Sequence, residues 1–244
     1  MTDLIDTADE IVKWLRDGRN ENNIAGMSRF AISGGDIMGI PVPVLRAKAR
    51  TYPKNSDLAR QIWNSGIHEA RIMASMIACH DTFTPEDMDC WCAAFDSWDV
   101  CDQCCLNLFR KLPFAVSKIE SYAADDREFV RRCAFALMAA IAVHAGADDD
   151  IDFARWLEII TIHAADKRNF VKKAVNWALR QIGKRNLILN SMAADTARKL
   201  SQSSDPAERW IGRNALNELT ARRTLDFIMS HREHRFGADS SCVK

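Results

Sequence analysis

The sequence predicts an all-α chain of stacked helical repeats, and three observations carry that prediction. Two segments repeat each other, Phe129-Val-Arg-Arg-Cys-Ala-Phe-Ala-Leu137 and Phe170-Val-Lys-Lys-Ala-Val-Asn-Trp-Ala-Leu179, with Val130 and Val171 lying 41 positions apart. That offset falls within the roughly 40–47-residue period of HEAT-like helical pairs. Second, only 10 Gly and 6 Pro occur among 244 residues, and β-branched runs are scarce, which favours helix over strand. Third, apolar residues recur at helical spacing along most of the chain. One helical pair cannot bury its apolar face alone, so copies must stack, and a curved stack presents a concave surface. The expectation is one α/α superhelix over residues 1–230, with a loosely held tail over 231–244.

The elements follow in order. From Leu4 to Asp17, apolar residues at Leu4, Ile5, Ala8, Ile11, Val12 and Leu15 line one helical face. Gly34-Gly35 and Gly39-Ile-Pro-Val-Pro43 break the pattern and mark a connection. Helix resumes after Pro43, again beyond Pro53 through Leu58, Ile62 and Trp63, and again from Glu69 through Ile77. Thr84 before Pro85 reads as a cap followed by proline at the first helical position. Further helices are expected over 99–109, 113–122, 127–144, 151–163, 169–183, 187–200 and 206–222, joined by short polar connections such as Gly146 to Asp150. Fainter repeat copies begin at Arg209 and at His68.

Formal net charge is zero, with 33 basic and 33 acidic residues, so no global field draws the chain to a polyanion. The distribution is uneven. Lys167, Arg168, Lys172, Lys173, Arg180, Lys184 and Arg185 face Asp166 alone within one stretch, whereas the first helix is acidic. The repeated cation pairs Arg131-Arg132 and Lys172-Lys173 form a candidate track for a polyanion. With no apolar run long enough to span a membrane and no basic leader, the chain is expected in the cytoplasm, its eight cysteines reduced.

Two constellations carry chemistry. Trp98 and Asp102 are i and i+4, so a helix puts an aromatic face and a carboxylate on one side, a pairing suited to a cationic ligand. The competing reading is a core tryptophan with Asp99 or Asp102 capping a helix start. Lys173, Trp177, Arg180 and Lys184 share a helical stripe, where cations hold phosphates while the ring packs on sugar or base. Here the competing reading is a solvated charged face.

Ser97-Trp-Asp-Val-Cys-Asp102, the Val-Arg-Arg-Cys-Ala134 run, Val171 to Asn186, and Gly39-Ile-Pro-Val-Pro-Val-Leu-Arg46 together resemble the AlkD-like DNA alkylation repair glycosylases. The resemblance runs from about Gly39 to Asn186. It implies a superhelix that cradles duplex DNA and hydrolyses the N-glycosidic bond of cationic N-alkylated purines such as 3-methyladenine and 7-methylguanine. Asp102 matches the family's catalytic aspartate, and Trp98 and Trp177 match the two tryptophans beside the lesion's deoxyribose. Arg132 matches an arginine that contacts the lesion strand, and Arg180 a basic residue one turn beyond the second tryptophan. Ser97 departs from the pattern, since many relatives carry a second tryptophan there. No cofactor and no metal are expected, and the protein should act as a monomer on DNA.

Other signals weigh less. Cys90, Cys92, Cys101, Cys104 and Cys105 invite a zinc reading, but the last three lie within a helical pattern and lack knuckle spacing. His68-Glu69 is half a metal motif without its second histidine. Glu69 is expected to pair with Arg46 or Arg71. The rival function from another class is a non-catalytic helical-repeat scaffold that binds DNA or protein.

Overall fold

The computed structural model describes residues 2–32, 36–146 and 151–236, with side chains described from Thr7 to Ser230 within those ranges. Among them run fourteen α-helices and one isolated β-bridge, Asp36 with Ile67. The architecture is all-α, of stacked HEAT-like helical repeats, as the period predicts. It divides into two compact units, Met1–Ser117 and Lys118–Lys244.

In the first unit, α1 (Thr2–Asp17), α2 (Glu21–Met27), α3 (Val42–Ala49), α4 (Ser56–Asn64), α5 (His68–Ile77), α6 (Pro85–Ala93) and α7 (Trp98–Asn107) follow in order. At the centre lies α5, which is buried on nearly all sides and packs against α1, α3, α4 and α7. Its flanking core is aromatic: Trp63 stacks on Trp91 with centroids 4.0 Å apart, and Phe83 meets Trp91 edge-on. The expected cap at Thr84 forms in full, because Thr84 and Asp87 exchange side-chain-to-backbone hydrogen bonds as a capping box.

The second unit contains most of α8 (Ala115–Ala124), then α9 (Glu128–His144), α10 (Phe153–His163), α11 (Asn169–Ile182), α12 (Leu187–Ser201), α13 (Pro206–Leu219) and α14 (Arg222–Phe236). The repeat is visible in the packing: α9 lies along α11, α11 along α13, and α10 along α12. Phe129 and Phe170, equivalent in the two copies, meet at 5.5 Å. Buried polar side chains staple each repeat to the next. Arg132 Nη1 donates to the Phe170 carbonyl at 2.6 Å, and Asn176 Nδ2 to the Ile211 carbonyl at 3.1 Å. At Gly212 an added Cβ would lie 2.6 Å from the Ala197 carbonyl oxygen, so glycine lets α13 approach the backbone of α12.

Two helices were not expected. α2 has no buried residue and so no apolar signature, although Asn20 caps it by accepting from the Asn23 amide. α14 follows the last expected helix and continues through His231 to Phe236, inside the segment expected to be loosely held. Residues 237–244, and the connections at Gly34-Gly35 and 147–150, lie outside the described residues.

Candidate functional site

Trp98 opens α7 and Asp102 follows one turn later on the same face, both half-buried. What fixes them is the anchoring of α7 at both ends. At its start, the buried His68 Nε2 lies 2.8 Å from Asp99 Oδ2, and Ser97 Oγ donates to Asp99 Oδ1. Burial alone would lower the imidazole's pKa, but the hydrogen bond and charge of Asp99 outweigh it, and the net shift is upward. Asp99 mirrors this: burial would raise its carboxyl, yet the bond and charge of His68, with Ser97, hold it below its ordinary value. Ser97, where many relatives are expected to carry tryptophan, is thus a buried hydrogen-bond donor here.

At the other end of α7, Arg46 on α3 donates to Asn107 Oδ1 at 3.1 Å, and Asn107 Nδ2 donates to Ser75 Oγ on α5 at 3.1 Å. The ring of Trp98 is oriented by its own indole, whose Nε1 donates to the Phe30 carbonyl at 2.9 Å.

The expected partner of Glu69 needs correction. Its buried carboxylate pairs with neither Arg46 nor Arg71. It accepts backbone amides from Met38 at 2.8 Å, Gly39 at 2.6 Å and Ile40 at 3.3 Å. Gly39 sits there at φ +71°, where a Cβ would lie 2.6 Å from the Asn20 carbonyl oxygen, so only glycine fits. Arg71 instead donates to the Ala94 carbonyl and to Asp96.

In the second unit the expected cation track is partly committed to the fold. Arg132 is 5% exposed and its guanidinium holds the start of α11, so it is a staple between repeats. Arg131 is bridged to Asp166 at 2.8 Å. Burial would raise the Asp166 carboxyl, but hydrogen bonds from Arg168 and Arg131 hold it down at about 2. Arg180 and Lys184 both bind Glu218 on α13, the latter at 2.8 Å. Burial would raise the Glu218 pKa; Lys184 and Arg180 reverse that and lower it. Arg185 donates to the Ala142, Ala145 and Gly146 carbonyls and so caps α9. Lys173 is exposed, Trp177 is half-buried, and the Lys172 ammonium lies 4.9 Å from the centroid of Trp210.

Cys101, Cys104 and Cys105 lie wholly buried on α7, and burial pushes the Cys104 thiol well up, which keeps it protonated. Sequence reasoning named Asp99 as a cap but missed its bonds to His68 and Ser97, and missed Trp210. The signal for Asp166 was available, because Asp125-Asp-Arg127 and Asp166-Lys-Arg168 recur at the repeat offset and both aspartates accept from the arginine two residues on.

Comparison with known proteins bears on the family and the fold. The sequence model of a family described as "DNA alkylation repair enzyme" matches residues 11–219. A solved structure described as "A new family of proteins related to the HEAT-like repeat DNA glycosylases with affinity for branched DNA structures" superposes with a TM-score of 0.74 at 15% identity, covering 90% of this chain and 96% of that one. At that identity the likeness speaks for the fold alone. A second, an engineered protein, reaches a TM-score of 0.38 at 15% identity over 72% of this chain and 90% of the other, too low to bear on either. No curated protein matches.

Proposed function

The chain belongs to the DNA alkylation repair enzyme family, and from that premise we propose that it is a DNA glycosylase acting on cationic N-alkylated purines in duplex DNA. The observation that carries the proposal is the Trp98–Asp102 face of α7, held at one end by His68 and Asp99 and at the other by Arg46 and Asn107.

The chemistry suits these groups. An N-alkylated purine is already positively charged, so it departs as a neutral base and requires no general acid. The C1′–N bond breaks with its electron pair going to the base, and positive charge grows on the deoxyribose. A fixed carboxylate at Asp102 stabilises that charge and accepts a proton from the water whose oxygen bonds to C1′. The face of Trp98 adds cation–π stabilisation of the same sugar. The resemblance gives Trp177 a comparable role. Phosphate contacts fall to Lys173, while Lys172 sits over the Trp210 ring and Arg131, Arg132, Arg180 and Lys184 act first through the bonds they already make.

The rival reading is a non-catalytic repeat protein that binds DNA. A protein of the same fold is described as having "affinity for branched DNA structures". Release of 7-methylguanine and 3-methyladenine from methylated duplex separates the two. A glycosylase releases base and loses that release in Asp102→Asn; a scaffold binds duplex without releasing base in either form.

A further inference from the structure

The exposed face of α13 has a composition that the catalytic reading does not use. Trp210, Arg213, Asn214 and Asn217 stand at i, i+3, i+4 and i+7, one helical stripe, and all four are exposed. Trp210 is 40% exposed, unusual for the largest apolar side chain in a stretch with buried alternatives on both sides. With Pro206 and Arg209 these residues line an open groove of about 320 Å³ that contains no carboxylate. Arg209 is already spent on the Ser203 and Ser204 carbonyls. Lys172, reaching over from α11, holds its ammonium 4.9 Å from the Trp210 ring centroid and is not part of the groove's lining.

We propose that this groove binds an unpaired nucleotide of single-stranded or gapped DNA, its base stacked on Trp210 and its flanking phosphates held by Lys172 and Arg213. Charge complementarity selects a polyanion, since Lys172 and Arg213 flank the groove and no acid lines it. The exposed ring selects an unpaired base, because a base stacked between neighbours in an intact duplex has no face to offer a tryptophan. Asn214 and Asn217 each offer one donor and one acceptor group to the base edge. The inference rests on DNA being this protein's ligand, but it names a site separate from α7 and a different form of that ligand.

The test compares affinities by fluorescence anisotropy for two labelled DNAs of one sequence, one intact duplex and one carrying a short single-stranded gap. Trp210→Ala should weaken gapped-DNA binding about tenfold, in line with the loss of one base–aromatic stack, and leave intact-duplex binding within about twofold. Trp210→Phe should restore most of the loss, because a ring still stacks. As Trp210 is partly exposed, both variants should keep the wild-type melting temperature, which is checked first. Equal losses on both DNAs, or no loss on gapped DNA, would overturn the site while leaving the DNA-binding reading intact. Wild-type protein that binds neither DNA would overturn both.

Discussion

Glu69→Gln is a substitution of one atom whose cost can be worked from the structure. The wild-type carboxylate takes the Met38 amide on Oε2 and the Gly39 and Ile40 amides on Oε1, all in a buried setting. A glutamine can keep its carbonyl oxygen toward Gly39 and Ile40, but its NH2 then faces the Met38 N–H, donor against donor. One buried amide is left without an acceptor, at about 1–3 kcal/mol, and the two surviving bonds lose their charge assistance. The sum is about 3 kcal/mol, a large share of the roughly 5–15 kcal/mol that holds a typical domain. For a chain of this size that corresponds to a fall in melting temperature of about 6–12 °C. Thermal unfolding followed by circular dichroism reads the total, and amide exchange at Met38 to Ile40 reads the locality. A fall of less than about 2 °C, with those amides still protected, would mean that the carboxylate does not hold the 38–40 segment.

Two predictions concern charge. His68→Asn removes one partner of a buried pair and leaves Asp99 with Ser97 and its own backbone amide, at a cost of about 3 kcal/mol in urea unfolding near pH 6. Because the folded imidazole has a raised pKa, its contribution is full below the ordinary histidine value and fades as pH rises through the folded one. Wild type and variant should therefore converge on the alkaline side; a gap that widens there would contradict the pairing. Asp166 works in the opposite sense. Its carboxyl, held at about 2, contributes stability above its unfolded value, and that contribution is lost as pH falls from near 4 through about 2. Asp166→Asn should flatten that part of the acid-stability profile by about 1–2 kcal/mol, and an unchanged profile would place the acid sensitivity elsewhere.

Much of the fold could be read from the sequence because its signals are local. The Phe129/Phe170 repeat, the Thr84 cap and the shared face of Trp98 and Asp102 each depend on residues a few positions apart or on a fixed period. What escaped depends on distant partners. Adjacent residues on a helix point about 100° apart, so a pair such as Arg131-Arg132 cannot face solvent as a unit, and Arg132 turned inward. The cation excess from His163 to Arg185 shrinks once Glu218, more than thirty residues downstream, takes both Arg180 and Lys184. A carboxylate that binds backbone amides, as Glu69 does, leaves no complementary residue type to find. The candidate site shows the same division: the shared helical face of Trp98 and Asp102 was legible, while the His68–Asp99 and Arg46–Asn107 bonds that fix α7 span intervals no periodicity reports.

The central claim is that Asp102 carries the cleavage step, and single-turnover release of 7-methylguanine from methylated duplex tests it most directly. With protein in excess over DNA, Asp102→Asn should lose release by at least about a hundredfold while its duplex affinity and melting temperature stay near wild type. Release by Asp102→Asn at the wild-type rate would contradict the assignment, and wild-type protein that binds the methylated duplex without releasing base would contradict the glycosylase itself.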